Sequence, residues 1–253
     1  MRTYKLTIAY DGTGFRGWQR QPDTDRTIQG VLERTISEKM GYPVDVNGSG
    51  RTDGGVHASG QTASLTLKGL VNPEDFLDEM NAALPENIRI LDACLMPNSF
   101  HARRSACWKA YEYYVDTARR ADVFDRRYIF HYPEKLDIEK MRRAGEYLIG
   151  THRFGGFTDR PDETSTKRTI YDIIITGQGS RLTFRYEGSG FMYHMVRILT
   201  GTLLEAGTGA RSPESVLIPL QTEERWKAGF LAPAQGLFLK EVYYEHRQQN
   251  GRR

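Results

Sequence analysis

Alternation of apolar and polar residues opens the chain. In TYKLTIAYDG, Tyr4, Leu6, Ile8 and Tyr10 fall on one face of an extended segment, which predicts a strand. A polar loop, DGTGFRGWQRQPDTD, follows. The period then changes: Ile28, Val31, Leu32 and Ile36 recur at helical spacing, with Thr27 placed to cap the start and Gly41 to stop the end. After a glycine-rich stretch, GQTASLTLKG alternates again as a strand. Asn72-Pro73 opens a second helix, its proline at the first position where no amide partner is missed, and Phe76, Met80 and Leu84 mark its inner face. IRILDACLM reads as the next strand.

From about residue 100 the same grammar repeats. In SACWKAYEYYVD, Cys107, Lys109, Tyr111, Tyr113 and Val115 share a strand face, and DIEKMRRAGEYLIG has the pattern of an amphipathic helix running to Gly150. TIYDIIITGQGSRLTFRYEG predicts a hairpin turned at Gly177–Gly179. A helix carrying Met195, Leu199, Leu203 and Ala206 on one stripe comes next, then a short helix at Ser212-Pro213 and a closing strand, GLFLKEVYYE. The expectation is an α/β (α+β) fold in two similar halves, each a mixed, mostly antiparallel sheet with helices packed on one face. They meet across residues 98–106, so that residues 1–100 form one half and 101–253 the other.

Composition narrows the class. With 253 residues, 39% hydrophobic and 11% aromatic, the chain can bury a substantial core. No run approaches the roughly 20 apolar residues of a membrane helix, and the first residues reach charge too early for a signal peptide. Cys94 and Cys107 lack a CxxC partner or a zinc spacing, and there is no His-x-x-x-His. A cytoplasmic protein without disulfides is expected, with no metal-ligand spacing. Net charge is only +3, but residues 1–99 hold 10 Lys/Arg against 13 Asp/Glu while the remainder carries a balance of +6. Arginine pairs at 103–104, 119–120, 126–127 and 142–143 stand among Tyr and Phe, a pattern that suits a polyphosphate with bases to stack, and equally suits solvated helix ends.

The glycine-rich stretch, GSGRTDGGVHASG (residues 48–60), is the candidate for chemistry. Asp53 stands where a dinucleotide fingerprint needs its third glycine, and no P-loop Lys-Ser/Thr follows, so a phosphate cradle does not fit. A carboxylate near a guanidinium does. If Arg51 or another arginine lies about 4 Å away, the attraction reaches ~4 kcal/mol at an effective dielectric near 20, most of it offset by desolvation. What survives is an ionised, oriented carboxylate, usable as nucleophile or base. The same residues also describe an aspartate that merely closes its own turn.

The stretch GRTDGGVHASGQTA resembles the GRTDxGVHAxGQ signature of the tRNA pseudouridine synthase A family. AYDGTGFRGWQRQ with RTIQGVLE, ALPENIRI, FHARRSA, KAYEYYV, RTI at 168–170, GFMYHMVRILTG and APAQGLFL follow in the family's order. The resemblance implies a tRNA uridine isomerase that needs no cofactor, has its active-site cleft between the halves, pairs as a homodimer and acts on the anticodon stem-loop. It assigns Asp53 as the catalytic carboxylate, Arg197 as its cationic partner from the second half, and Tyr111 as the tyrosine that stacks on the target base. Arg51 is expected to position Asp53 or a phosphate, and Arg16, Gln19, Arg20 and Arg168 to meet RNA. The stretch 160–168 reads as a tRNA-contacting insertion, and His57 and His101 as satisfied loop histidines more than acid–base groups. Two departures stand out: Gly54 where the family usually has Ala, and Ile198 where it has Asn. The rival readings are a non-catalytic RNA-binding or RNA-folding protein keeping the fold, a diverged synthase with another RNA target, and a glycosidase, which would want a second carboxylate that no comparable loop supplies.

Overall fold

The structure is a computed structural model, described over residues 1–160 and 165–247. Residues 161–164, part of the 160–168 stretch, lie outside the described residues. Chain proximity divides the protein into two compact units, Met1–Trp108 with the residues from Leu239 onward, and Lys109–Phe238. Both are mixtures of helix and mostly antiparallel sheet, as the periodicities predict.

In the first unit the strand order is β4 (Ile88–Met96), β1 (Arg2–Tyr10), β3 (His57–Leu67), β10 (Leu237–Tyr243), with the two-residue β2 (Asn47–Gly48) on β3. β1 runs antiparallel to β3 and β4, from Arg2 opposite Leu67 to Tyr10 opposite Ala58. An irregularity between Ile8 and Tyr10 breaks the β1–β3 register beside the glycine-rich loop; such bulges re-aim side chains where a strand leaves its sheet. Tyr4, Leu6, Ile8 and Tyr10 are all buried. α1 (Ile28–Met40) starts where the Thr27 hydroxyl accepts the Gly30 N–H, and ends where Gly41 takes a left-handed conformation and donates to Ser37. α2 (Pro73–Ala83) is capped by the Asn72 side chain. Leu6, Ile8, Ile28, Leu32, Ile36, Met80 and Ile88 have no exposed surface; cutting one back to Ala costs about 2–5 kcal/mol.

In the second unit β5 (Trp108–Asp116), β9 (Arg181–Gly188), β8 (Lys167–Gln178) and β7 (Gly150–Arg153) pair antiparallel in that order, while β6 (Phe130–His131) runs parallel to β5. The β8–β9 hairpin closes between Gln178 and Arg181, at the glycines that predicted it. α3 (Ile138–Glu146) is shorter than its periodicity suggests: Leu148 N–H turns back to Gly145, and Gly150 opens β7 at φ +115° instead of ending the helix. α4 (Met195–Thr208) is buried on nearly every side and packs against α3, which in turn packs on β8. A helix apolar all round belongs in a core, so α4 is a rigid mount for any side chain it carries. Pro213–Val216 forms a short 3-10 turn leading into α5 (Leu217–Thr222).

Candidate active site

Asp53 sits in the loop between β2 and β3, half-buried, between a buried Thr52 and an exposed Gly54. The loop is held through its backbone. Trp18 N–H donates to the Thr52 carbonyl at 3.0 Å, Gly55 N–H to Phe15 at 3.3 Å, and Val56 N–H to the Asp53 carbonyl at 3.2 Å. The last bond closes a turn from Asp53 to Val56 whose third residue, Gly55, has φ +79°, the left-handed position a type II turn reserves for glycine. The polar loop after β1 therefore lies directly on the Asp53 loop, main chain against main chain.

Glycine is what permits that approach. Gly17 has φ +100°, and a Cβ there would stand 2.6 Å from the Thr52 oxygen and 3.1 Å from the Asp53 carbonyl carbon. Gly48 lies flat on the buried Trp18 indole, so a Cβ would come within 2.5 Å of the ring. Polar side chains finish the mount. The Tyr10 hydroxyl and Thr52 Oγ1 are 2.7 Å apart, and burial raises the Tyr10 phenol above its ordinary range although Thr52 and Gln61 offset part of the effect. Gln61, fully buried, accepts from Ser49 Oγ at 2.8 Å and donates to the Gly50 carbonyl at 3.0 Å. Sequence periodicity missed both Tyr10 and Gln61 as parts of this site. They alternate within strands as ordinary positions, and their polar ends leave no trace in the pattern.

The cations expected around this loop are organised in a chain. Arg51 Nε donates to Gln19 Oε1 at 3.0 Å, Gln19 Nε2 to Gln29 Oε1 at 2.7 Å, and Gln29 Nε2 to Glu33 Oε1 at 2.9 Å. Arg20 pairs with the other oxygen of the buried Glu33 at 2.9 Å, and Arg16 pairs with Asp23 at 2.9 Å. His57 is fully buried, its Nδ1 accepting from Gly12 N–H at 3.0 Å beside Asp11. His101 Nδ1 accepts from Arg103 and Arg104 N–H. Both histidines thus hold backbone in place.

Tyr111 and Arg197 belong to the second unit. Tyr111 lies on β5 opposite Tyr186 of β9, 7% exposed, with Phe191 meeting its ring edge-on at 5.2 Å. Tyr113, two residues along the same face, is a core residue: its hydroxyl donates to the Pro233 carbonyl at 2.7 Å, and burial pushes its phenol far up despite the Arg197 charge nearby. Arg197 rides the first turn of α4, half-buried, with Nε donating to the Ala232 carbonyl at 2.7 Å, while Ala232 N–H returns a bond to the Arg197 carbonyl at 3.3 Å. Ile198, the departure from the usual Asn, is fully buried, and its apolar side chain needs no polar partner there. Arg168, at the start of β8, donates to the carbonyls of Ser165 and Lys167.

Among the described residues no group of three or more His, Cys, Asp or Glu stands together as a metal site, and no helix is long and apolar enough to cross a membrane. Cys94 and Cys107 are free thiols. A family model described as tRNA pseudouridine synthase matches residues 6–103 and 144–245. The tRNA pseudouridine synthase A of Lacticaseibacillus casei (strain BL23) is 43% identical over 248 residues, covering 96% of this chain and 100% of that protein. The protein of the same name from Bacillus subtilis (strain 168) is 42% identical over 245 residues, covering 96% of this chain and 99% of that protein. Among solved structures, the archaeal box H/ACA sRNP Nop10-Cbf5 complex aligns at 12% identity and a TM-score of 0.36 over 79% of this chain and 43% of that one, a likeness too distant to bear on the site.

Proposed function

The chain belongs to the tRNA pseudouridine synthase family and is an isomerase acting on tRNA, and we propose that Asp53 is the carboxylate that carries its reaction. The reaction cleaves the bond between uracil N1 and ribose C1′, turns the ring, and joins C5 to C1′ with loss of the C5 proton; N1 gains a proton, so atoms balance without a redox agent or group donor. Asp53 can enter by attack on C1′ or on the base, or by taking a ribose proton to give a glycal. Each route needs an ionised carboxylate held at a fixed position.

The observation that carries the reading is the mount itself. Main-chain bonds from Trp18 and Val56, the Gly17 backbone seated against Thr52–Gly54, and the Tyr10–Thr52 contact all converge on the residues flanking one half-exposed carboxylate. A turn-closing aspartate needs only the Val56 bond. In the same reading Tyr111 offers its ring to the extruded uracil, where stacking is worth ~1–3 kcal/mol, Arg197 supplies positive charge, and Arg51, Arg16, Arg20 and Arg168 meet RNA phosphates. We extend the reading to uridines of the anticodon stem-loop, to a homodimer, and to the cytoplasm, supported by the run of family segments from Ala9 to Leu239.

The test is Asp53→Asn assayed by tritium release from 5-tritiated uridine in an unmodified tRNA transcript. No turnover is expected, with tRNA affinity kept within about threefold because binding rests on phosphate contacts. Measurable turnover by this variant would remove Asp53 from the reaction.

A further inference from the structure

A non-glycine residue in the left-handed region is uncommon and points to a constraint. His194 is one: it caps α4 at φ +63°, ψ −4°, three residues before Arg197. Its side chain does not cap the helix in the ordinary way. His194 Nδ1 instead lies 2.5 Å from Asp159 Oδ2, and Asp159 Oδ1 takes Arg225 Nε at 2.7 Å. Partial burial works against the Asp159 charge, but the hydrogen bonds from His194 and Arg225 and the Arg225 charge outweigh it, holding the carboxyl below its usual range.

The connections close into a ring. Arg225 also donates to the Gly229 carbonyl at 2.9 Å, and Gly229 N–H donates to Thr202 Oγ1 on α4 at 2.8 Å. Three residues on, Ala232 exchanges its two bonds with Arg197. From α4 the path thus runs through His194, Asp159, Arg225 and the 229–232 segment back to the guanidinium of Arg197. On the other side of His194, Tyr193 stacks at 3.6 Å, and its carbonyl is held by the buried Thr158 hydroxyl at 2.8 Å.

We propose that His194, Asp159 and Arg225 are positioning residues for the reaction: joined to the 229–232 segment, they fix the direction of the Arg197 guanidinium. The proposal rests on the reading of Arg197 as a residue of the active site. It explains why a strained backbone carries an imidazole where glycine would sit without cost: the side chain is needed to grip Asp159.

The test uses His194→Gly, which suits the backbone, and His194→Asn, which tolerates the left-handed region and keeps an N–H for Asp159. For His194→Gly we expect a melting temperature within about 4 °C of wild type, the relieved backbone offsetting the lost Asp159 bond, KM within about twofold, and kcat lower by about tenfold or more, since small misplacements of catalytic groups cost up to about 10²-fold. His194→Asn should recover kcat to within about threefold of wild type. Adding His194→Gly to Arg197→Lys should lower kcat little beyond Arg197→Lys alone, because groups acting through one another are not additive. Wild-type kcat for His194→Gly beside a slow Arg197→Lys overturns the inference alone, as does a double variant whose loss is the product of the singles. Wild-type kcat for Arg197→Lys removes Arg197 from the site and the inference with it.

Discussion

Two neighbouring glycines should respond in opposite senses to the same added methyl group. At Gly17 the backbone is at φ +100°, and a Cβ would meet the Thr52 oxygen at 2.6 Å and the Asp53 carbonyl carbon at 3.1 Å. Both atoms are main chain and cannot rotate away. The left-handed conformation costs about 1–2 kcal/mol for an L side chain, and overpacking adds about 1–3 kcal/mol, so Gly17→Ala loses about 2–5 kcal/mol. At Gly54 φ is not positive, and the nearest atom to an added Cβ is the Phe15 oxygen at 3.4 Å, an ordinary contact. There the methyl group chiefly restricts the unfolded chain, a gain of about 0.4–1 kcal/mol. In a chain of this size each kcal/mol moves the melting temperature by about 2–4 °C. Gly54→Ala should therefore melt about 1–4 °C higher and turn over tRNA at the wild-type rate. Gly17→Ala should melt at least 4 °C lower and lose kcat by about 10-fold or more through displacement of Asp53. Circular dichroism melts and tritium release decide it. A destabilised Gly54→Ala, or a Gly17→Ala that melts and turns over as wild type, refutes the idea that main-chain contact sets the carboxylate.

Tyr111→Phe should keep tRNA affinity within about threefold while Tyr111→Ala loses about 10-fold or more, the stacking energy of one base; equal losses in a filter-binding titration would assign the effect to the hydroxyl. For Asp159 the sign follows from a folded-state carboxyl below its unfolded value: the charge stabilises the fold fully above the ordinary carboxylate range and ceases to as pH falls through the folded value. The stability gap between wild type and Asp159→Asn, measured by urea unfolding with Arg225 and His194 intact, should thus be full above about pH 5 and shrink below about pH 4. A gap that widens on acidification would contradict it.

Periodicity and caps disclosed the elements more readily than their neighbours. Thr27, Gly41, Asn72 and Pro73 mark helix ends by local bonds, and local bonds are what a sequence records. GLFLKEVYYE reads as a strand, yet nothing in its alternation says that it returns to pair with β3; the one trace is Gly60, where a Cβ would fall 2.1 Å from the Lys240 carbonyl. Gly150 shows the converse error. Glycine after an amphipathic run signals a helix stop, but here α3 has already ended at Glu146 and the residue serves a strand. Around Asp53 the sequence motif holds the carboxylate, whereas the groups that hold its loop come from Tyr10 and Gln61 on β1 and β3 and from Gly17 and Trp18 in the loop after β1, which the fold lays main chain against main chain.

The same distinction separates the polar residues of the first loop. The Gln19 amide oxygen accepts from Arg51 and one of its two N–H donors goes to Gln29, so the second N–H can reach a phosphate without breaking the chain that runs to the buried Glu33. Arg16 and Arg20 each hold one carboxylate, yet their side chains remain 57% and 61% exposed. The Arg16–Asp23 pair is exposed on both sides and worth no more than about 1 kcal/mol, so Arg16 can turn to RNA at little cost, whereas Arg20 must stay on the buried Glu33 carboxylate and can meet RNA only through the spare donors of its five-donor guanidinium. In the proposed reading Gln19 thus ties the loop to Arg51 and α1 while keeping an N–H for the polyanion, Arg16 can swing out to it, and Arg20 meets it from a fixed place on Glu33. Residue type alone could not show this, because it depends on which polar ends the fold has already engaged.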